Sequence, residues 1–199
     1  MNAILFPGQG SQIVGMGLEF FNNFAIVKRI FEEADEKLKY KISKIILDGP
    51  VEELKLTKNT QPAILTVSYA IFSVLKKEFN FNFDSTKFFA GHSLGEYSAL
   101  VCSESLNFED ALYLLFERGK SMQEAVPVGK GSMIAVLGLS IDEVKDLIKK
   151  NTVGGICEIA NDNANGQTIL SGDIDSINSL KLILKENKKK FIPLNVSAP

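Results

Sequence analysis

Lys87-Phe88-Phe89-Ala90-Gly91-His92-Ser93-Leu94-Gly95-Glu96 decides how this chain is read. A short apolar run, Lys87 to Ala90, predicts a strand. The residues from Glu96 onward predict a helix. Between them lies Gly-x-Ser-x-Gly. The pattern alone is weak, because small residues recur by chance. A preceding strand and a following helix are the setting that a nucleophile elbow requires. The flanking glycines let the strand turn sharply into the helix and hold the Ser93 hydroxyl at the turn. The helix N-terminus adds backbone N–H groups and a positive dipole end, both suited to an oxyanion. Ser93 is therefore the candidate nucleophile of an acyl-transfer enzyme. The plainer reading is a strand-to-helix turn that happens to contain serine.

Working outward, Ala3-Ile4-Leu5-Phe6 predicts a buried strand that enters a glycine-rich turn at Pro7-Gly8. Helices are expected near Phe24 to Leu38, from Thr60 to Glu78, and from Phe108 to Ala125, the last ended by Pro127 and Gly129. Strands separated by helices indicate an α/β domain with a mainly parallel sheet. After Pro127 the rhythm changes. A strand is expected over Ser132 to Leu137, then a helix over Ser140 to Lys150. Ser140 and Glu143 form a capping box at its start. Strands over Ile156 to Ala160 and Gln167 to Ser171 are joined by the turn-rich Asn161-Asp162-Asn163-Ala164-Asn165-Gly166. A helix over Ile174 to Asn187 and a strand over Lys190 to Val196 follow. The order β-α-β-β-α-β is the split motif of a ferredoxin-like unit. The expected division is a core over residues 1–127, a subdomain over 128–196, and a return to the core from 197 to 199.

Phe6-Pro7-Gly8-Gln9-Gly10-Ser11-Gln12 follows the first strand, as an oxyanion-hole loop would. It fits neither the dinucleotide spacing, since the sixth position is Ile13, nor a P-loop, since it lacks the lysine. The Gln9 and Leu94 backbone N–H groups are the candidate oxyanion donors; a structural glycine turn explains the loop equally well. On the Phe108 to Ala125 helix, at about 100° per residue, Phe108, Ala111, Leu112, Leu115, Gly119 and Met122 share one face. Arg118 lies at the edge of that face, beside Ala111. A guanidinium there is costly unless it meets an anion. One reading has Arg118 bind a substrate carboxylate through its planar fork. The other has it snorkel to solvent or pair with a core Asp or Glu.

The 199 residues are 45% hydrophobic and 23% charged, with a net charge of −2, an ordinary globular composition. No basic excess marks a nucleic-acid binder. Cys102 and Cys157 cannot build a disulfide framework and read as buried thiols of a reducing compartment. The N-terminus shows no basic signal region, and the most apolar stretch, Ala63 to Leu75, is too short to span a bilayer. A cytoplasmic protein with no metal site and no membrane partner is expected.

The motifs in order resemble a known family. Phe6 to Gln12, Gln61-Pro62-Ala63, Gly91 to Tyr97, and Arg118-Gly119-Lys120-Ser121-Met122-Gln123 lead. Asn161-Asp162-Asn163 with Gln167, and Val196-Ser197-Ala198-Pro199, complete the set. Together they are similar to malonyl-CoA:acyl carrier protein transacylases and to the acyltransferase domains of polyketide and fatty acid synthases. The resemblance implies an α/β-hydrolase-like core, incomplete here, carrying an inserted ferredoxin-like subdomain. It implies transfer of malonyl from malonyl-CoA, through a Ser93 ester, to the phosphopantetheine thiol of acyl carrier protein, in fatty acid biosynthesis. No cofactor is implied beyond these substrates. Arg118 would hold the malonyl carboxylate. Gln9 and Leu94 would form the oxyanion hole, His92 would neighbour the nucleophile, and Gln61, Asn161 and Asn163 would line the pocket.

A serine nucleophile needs a base. The only histidine is His92, whose position beside Ser93 on a sharp turn suits it poorly for that task. In the family, a catalytic histidine follows the segment matching Val196 to Pro199. The expectation is therefore a fragment with little transacylase activity, exposing apolar sheet where pairing strands are missing. Two other functions fit part of the pattern: a serine esterase or thioesterase, and a non-catalytic acyl carrier protein binding module. The run Lys188-Lys189-Lys190 is either a contact for that acidic carrier or simply a solvated face.

Overall fold

The computed structural model describes residues 2–127, 129–152 and 154–194. The chain divides into two compact units, Met1–Met122 and Gln123–Pro199. The first begins with strand β1 (Asn2–Phe6) and continues with helices α1 (Leu18–Asn23), α2 (Ala25–Leu38), α3 (Ile42–Asp48), α4 (Val51–Lys55) and α5 (Thr57–Lys77). Strand β2 (Thr86–Gly91), helix α6 (Gly95–Cys102) and helix α7 (Phe108–Ala125) follow. The helices form because their apolar residues recur at three- and four-residue spacing. On α2 these are Ile26, Val27, Ile30, Phe31 and Ala34, all buried. They pack with Leu65 and Val74 of α5 and with Leu112 and Leu115 of α7 in one core.

Strands β1 and β2 pair in parallel, with Ala3 opposite Phe88 and Phe6 opposite Gly91. The sequence predicts a buried first strand, and the structure corrects this. Only Phe6 of β1 is buried, while Leu5 is 76% exposed and Phe88 of β2 is 59% exposed. Each strand has one neighbour among the described residues, and α6 packs against them. Phe6 joins Phe72, Ala99 and Cys102 in a small second core. An apolar groove of about 460 Å³ runs along Leu5, Phe6, Val67, Phe72 and Phe81. Helices α1, α3 and α4 are absent from the sequence expectation. They run six, seven and five residues, too short for an apolar repeat to declare itself.

The second unit holds β3 (Gly131–Leu137), α8 (Ile141–Asn151), β4 (Cys157–Ala164), β5 (Gln167–Asp173), α9 (Ile174–Glu186) and β6 (Lys190–Leu194). Its sheet runs β4-β5-β3-β6, antiparallel at every pairing. Ile134, Val136 and Leu170 of the sheet meet Val144 of α8 and Ile177, Leu180 and Leu184 of α9. The Ser140 capping box is present, with the Glu143 N–H donating to the Ser140 hydroxyl oxygen and the Ser140 N–H to the Glu143 carboxylate. The Ser140 N–H first, and then the Ser140 hydroxyl donating to the same oxygen, hold that carboxylate below its usual range.

The expected turn over Asn161 to Gly166 is shorter than its composition suggests. Strand β4 continues to Ala164, and only Asn165-Gly166 forms the turn, with Gly166 at φ 79°. Polar residues hid the strand because β4 is an edge with two bulges. Its register steps past Ala160 and past Asn163. Ile159 therefore pairs with Leu170 toward the helices, while Asn161 pairs with Ile169 on the opposite face. The last strand is described from Lys190 to Leu194; Val196-Ser197-Ala198-Pro199 lies outside the described residues. No helix among the described residues is long and apolar enough to cross a membrane.

Candidate active site

The elbow is built by two close approaches. A Cβ on Gly91 would fall 2.0 Å from the Gly95 carbonyl, and one on Gly95 would fall 2.5 Å from the Phe6 carbonyl oxygen. Real Cβ contacts are never that short, so β1, β2 and α6 can meet here only through glycine. The helix ladder starts with the Gly95 N–H donating to the His92 carbonyl at 2.9 Å, followed by Glu96 to Ser93 at 3.1 Å. The Leu94 N–H lies ahead of that ladder, at the end of a helix whose free donors suit an anion. Ser93 itself is exposed and adopts φ 54°. A left-handed serine costs on the order of 1–3 kcal/mol, and it is the elbow geometry that imposes it.

The loop after β1 is tied to this turn. The His92 N–H donates to the Phe6 carbonyl at 3.2 Å, and a Cβ on Gly8 would lie 2.7 Å from His92 Nδ1. Ser11 Oγ donates to the Gly8 carbonyl at 2.9 Å, and the Gly10 N–H donates to Gln12 Oε1 at 2.8 Å. Gln9 Nε2 reaches Thr57 Oγ1, at the start of α5, at 3.3 Å.

Arg118 of α7 meets Ser93. Its Nη2 donates to Ser93 Oγ at 3.1 Å, and its Nη1 donates to Gln61 Oε1 at 2.7 Å. The fork thus takes two neutral acceptors. This outcome differs from both solvent snorkelling and an internal ion pair, and among the described residues no carboxylate pairs with the guanidinium beside the nucleophile. Gln61, wholly buried on α5, also donates through Nε2 to Met122 Sδ at 3.3 Å. The apolar face expected on α7 is present: Phe108, Ala111, Leu112, Leu115 and Gly119 are buried, while Met122 is half-buried. Gly119 seats α7 on α5, since a Cβ there would fall 2.6 Å from the Thr57 carbonyl oxygen and from Lys58 Cα.

Ser93, Arg118 and Gln61 therefore form one cluster, with Gln9 fastened nearby to the same helix end. Asn161 and Asn163 belong to the second unit, on β4. Thr57 and Gly119 are the contributors that the sequence expectation missed. Gly119 stood there only as a member of the apolar helix face, and a buried threonine carries no signal of its own. Burial pushes the Cys102 thiol up to about 12 and the Cys157 thiol up to about 11, so both stay protonated and unreactive. Among the described residues no group of three or more His, Cys, Asp or Glu is gathered to hold a metal.

Known proteins share this arrangement at the level of sequence and fold. The family model described as acyl transferase domain matches residues 4–196. The malonyl CoA-acyl carrier protein transacylase of Bacillus subtilis (strain 168) is 46% identical over 199 residues, covering 99% of this chain and 62% of the relative. That of Staphylococcus aureus (strain MSSA476) is 43% identical, covering 99% and 63%. The crystal structure of the transacylase from Coxiella burnetii superposes with a TM-score of 0.91 at 39% identity, covering 99% of this chain and 62% of that one. A malonyl-transacylase solved in complex with a type II PKS acyl-carrier protein gives 0.90 at 39% identity, with 99% and 63% covered. The chain spans less than two thirds of the length of these relatives. With the model matching nearly its whole length, and with the elbow and the arginine in place, this chain belongs to the acyl transferase domain family.

Proposed function

We propose that this protein carries malonyl from malonyl-CoA to the phosphopantetheine thiol of acyl carrier protein by way of a Ser93 ester. The observation that carries the reading is Arg118 Nη2, 3.1 Å from Ser93 Oγ. A cation so close to the nucleophile is what an acyl group with a free carboxylate needs, and a simple esterase has no use for it. Ser93 Oγ attacks the thioester carbonyl, and the tetrahedral oxyanion rests on the Gln9 and Leu94 N–H groups. The carbon–sulfur bond breaks, coenzyme A leaves as the thiol, and the malonyl ester remains with its carboxylate on Arg118. The carrier thiol then attacks the ester and restores the serine. The relative solved with an acyl-carrier protein supports this choice of acceptor. Catalysis of this kind needs no further cofactor, because the pantetheine arms arrive on the substrates.

The proton of Ser93 is the weak point of these 199 residues. The sequence holds one histidine, His92, adjacent to the nucleophile. We hold acylation here to be slow for want of a well-placed base. We further read the two units as an α/β-hydrolase-like core and a ferredoxin-like subdomain. The strand order β4-β5-β3-β6 with two helices on one face supports the second assignment. Asn161 and Asn163 remain candidates for lining the pocket. The two protonated thiols suit a cytoplasmic setting.

Incubation with malonyl-CoA or acetyl-CoA, followed by intact-protein mass analysis, tests the reading. Malonyl should accumulate on Ser93 and be lost in Ser93→Ala. Arg118→Ala should cut malonyl transfer on the order of 10²-fold, as loss of a charge-assisted bidentate contact of about 2–3 kcal/mol predicts, while sparing acetyl. Equal loss of both would remove Arg118 from carboxylate recognition.

A further inference from the structure

Gln61 lies where a carboxylate would be the ordinary partner for a half-buried arginine. Its carboxamide is wholly buried, and both ends are used: Oε1 accepts from Arg118 Nη1 at 2.7 Å, and Nε2 donates to Met122 Sδ at 3.3 Å. A thioether is a weak acceptor, so the amide gains little from that side. What it does well is hold Arg118. The fork is divided, with one nitrogen fixed by Gln61 and the other aimed at Ser93 Oγ. Among the described residues no carboxylate forms an ion pair with Arg118. A neutral acceptor thus orients the guanidinium without neutralising it. A carboxylate at the same place would also orient it but would compete with the incoming acyl carboxylate for the same charge.

We infer that Gln61 is the positioning residue that keeps Arg118 aimed and electrically uncompensated over Ser93, and that its neutrality sets the preference for acyl groups bearing a free carboxylate. This rests on the reading of Arg118 given above. Gln61 lies wholly buried behind the arginine and acts through it.

The test is equilibrium binding, which needs no turnover. Non-acylating thioether analogues, 2-carboxyethyl-CoA for malonyl-CoA and ethyl-CoA for acetyl-CoA, in which a methylene replaces the thioester carbonyl, are titrated calorimetrically into the wild type, Gln61→Glu, Gln61→Met and Arg118→Ala, each checked for a wild-type melting profile. Gln61→Glu keeps shape and adds one charge. It should weaken the malonyl analogue about ten-fold or more, the low end of a charge-assisted contact, and leave the acetyl analogue within about two-fold. Gln61→Met removes the acceptor without adding charge, so it should weaken the malonyl analogue less than Gln61→Glu does. It also supplies the answer should the glutamate fail to fold. If Arg118→Ala abolishes the malonyl preference while Gln61→Glu retains it, the role of Gln61 is overturned and that of Arg118 stands. If Arg118→Ala retains the preference as well, the reading of Arg118 falls, and this one with it.

Discussion

Gly119→Ala separates folding from function more cleanly than any change at the reacting atoms. The added Cβ would meet the Thr57 carbonyl oxygen and Lys58 Cα at 2.6 Å, against 3.4 Å for ordinary contact, and both are backbone. Neither can swing aside, so α7 must retreat from α5 by about 0.8 Å. Overpacking of this kind costs about 1–3 kcal/mol, and alanine returns roughly 1 kcal/mol of helix propensity. The net loss is about 0–2 kcal/mol, a fall in Tm of up to about 8 °C for a chain of this size. Arg118, the next residue, moves with the helix. Its 2.7 Å bond to Gln61 would stretch to about 3.5 Å, the limit of a hydrogen bond, and its 3.1 Å approach to Ser93 would open to about 3.9 Å. Misplacement of about 1 Å costs on the order of 10²-fold in a positioned step. The variant should therefore stay folded, melting no more than about 8 °C below the wild type in circular dichroism, yet lose malonyl acylation of Ser93 by tens-fold relative to acetyl, by roughly the same principle. A variant that lost Tm as expected but kept its malonyl preference would refute the claim that the α5–α7 contact sets the arginine.

Gly95→Ala should act on the fold instead. Its Cβ would lie 2.5 Å from the Phe6 carbonyl oxygen and 2.8 Å from that of Pro7, so β1 and α6 must part. A loss of about 3 kcal/mol is expected, read as a fall in the urea midpoint; an unchanged midpoint would mean that the elbow has slack. Asp173 accepts from the Ile156 N–H, the Ser176 N–H and the Ser176 hydroxyl, and the Ile156 bond leads in holding its carboxyl below the usual range. A depressed carboxylate stabilises the fold above its unfolded pKa, and that contribution disappears as pH falls through the folded value. Asp173→Asn should flatten the loss of stability as pH falls below about 5; an unaltered acid limb in urea melts would show that Asp173 contributes nothing to it.

The elbow was legible because its requirements are local: two glycines, a strand before and a helix after. Helix α7 was legible to the residue, since Phe108, Ala111, Leu112, Leu115 and Gly119 keep a helical spacing. The Ser140 cap was legible for the same reason, needing only four residues. What failed depended on neighbours distant in sequence. The Ile4-Leu5-Phe6 run reads as buried, but exposure is decided by what packs beside a strand, and Leu5 faces solvent. The partner of Arg118 stands 57 residues away and is a neutral amide, which no charge pattern announces. Asn161 to Ala164 looked like a turn because propensity describes an average strand and β4 is a bulged edge.

Those two bulges are the places where β4 can change length without turning a side chain over. Each unpaired residue reverses which face the next one occupies, and a second reversal restores the original alternation. Deleting Ala160 alone would close its bulge and leave Asn161 opposite Ile169 and Asp162 opposite Thr168; deleting Asn163 alone would leave Ala164 opposite Gln167. Substitutions along this edge alter one side chain at a time. A single-codon deletion at either bulge would keep every face, so variation in length along this edge should concentrate at Ala160 and Asn163.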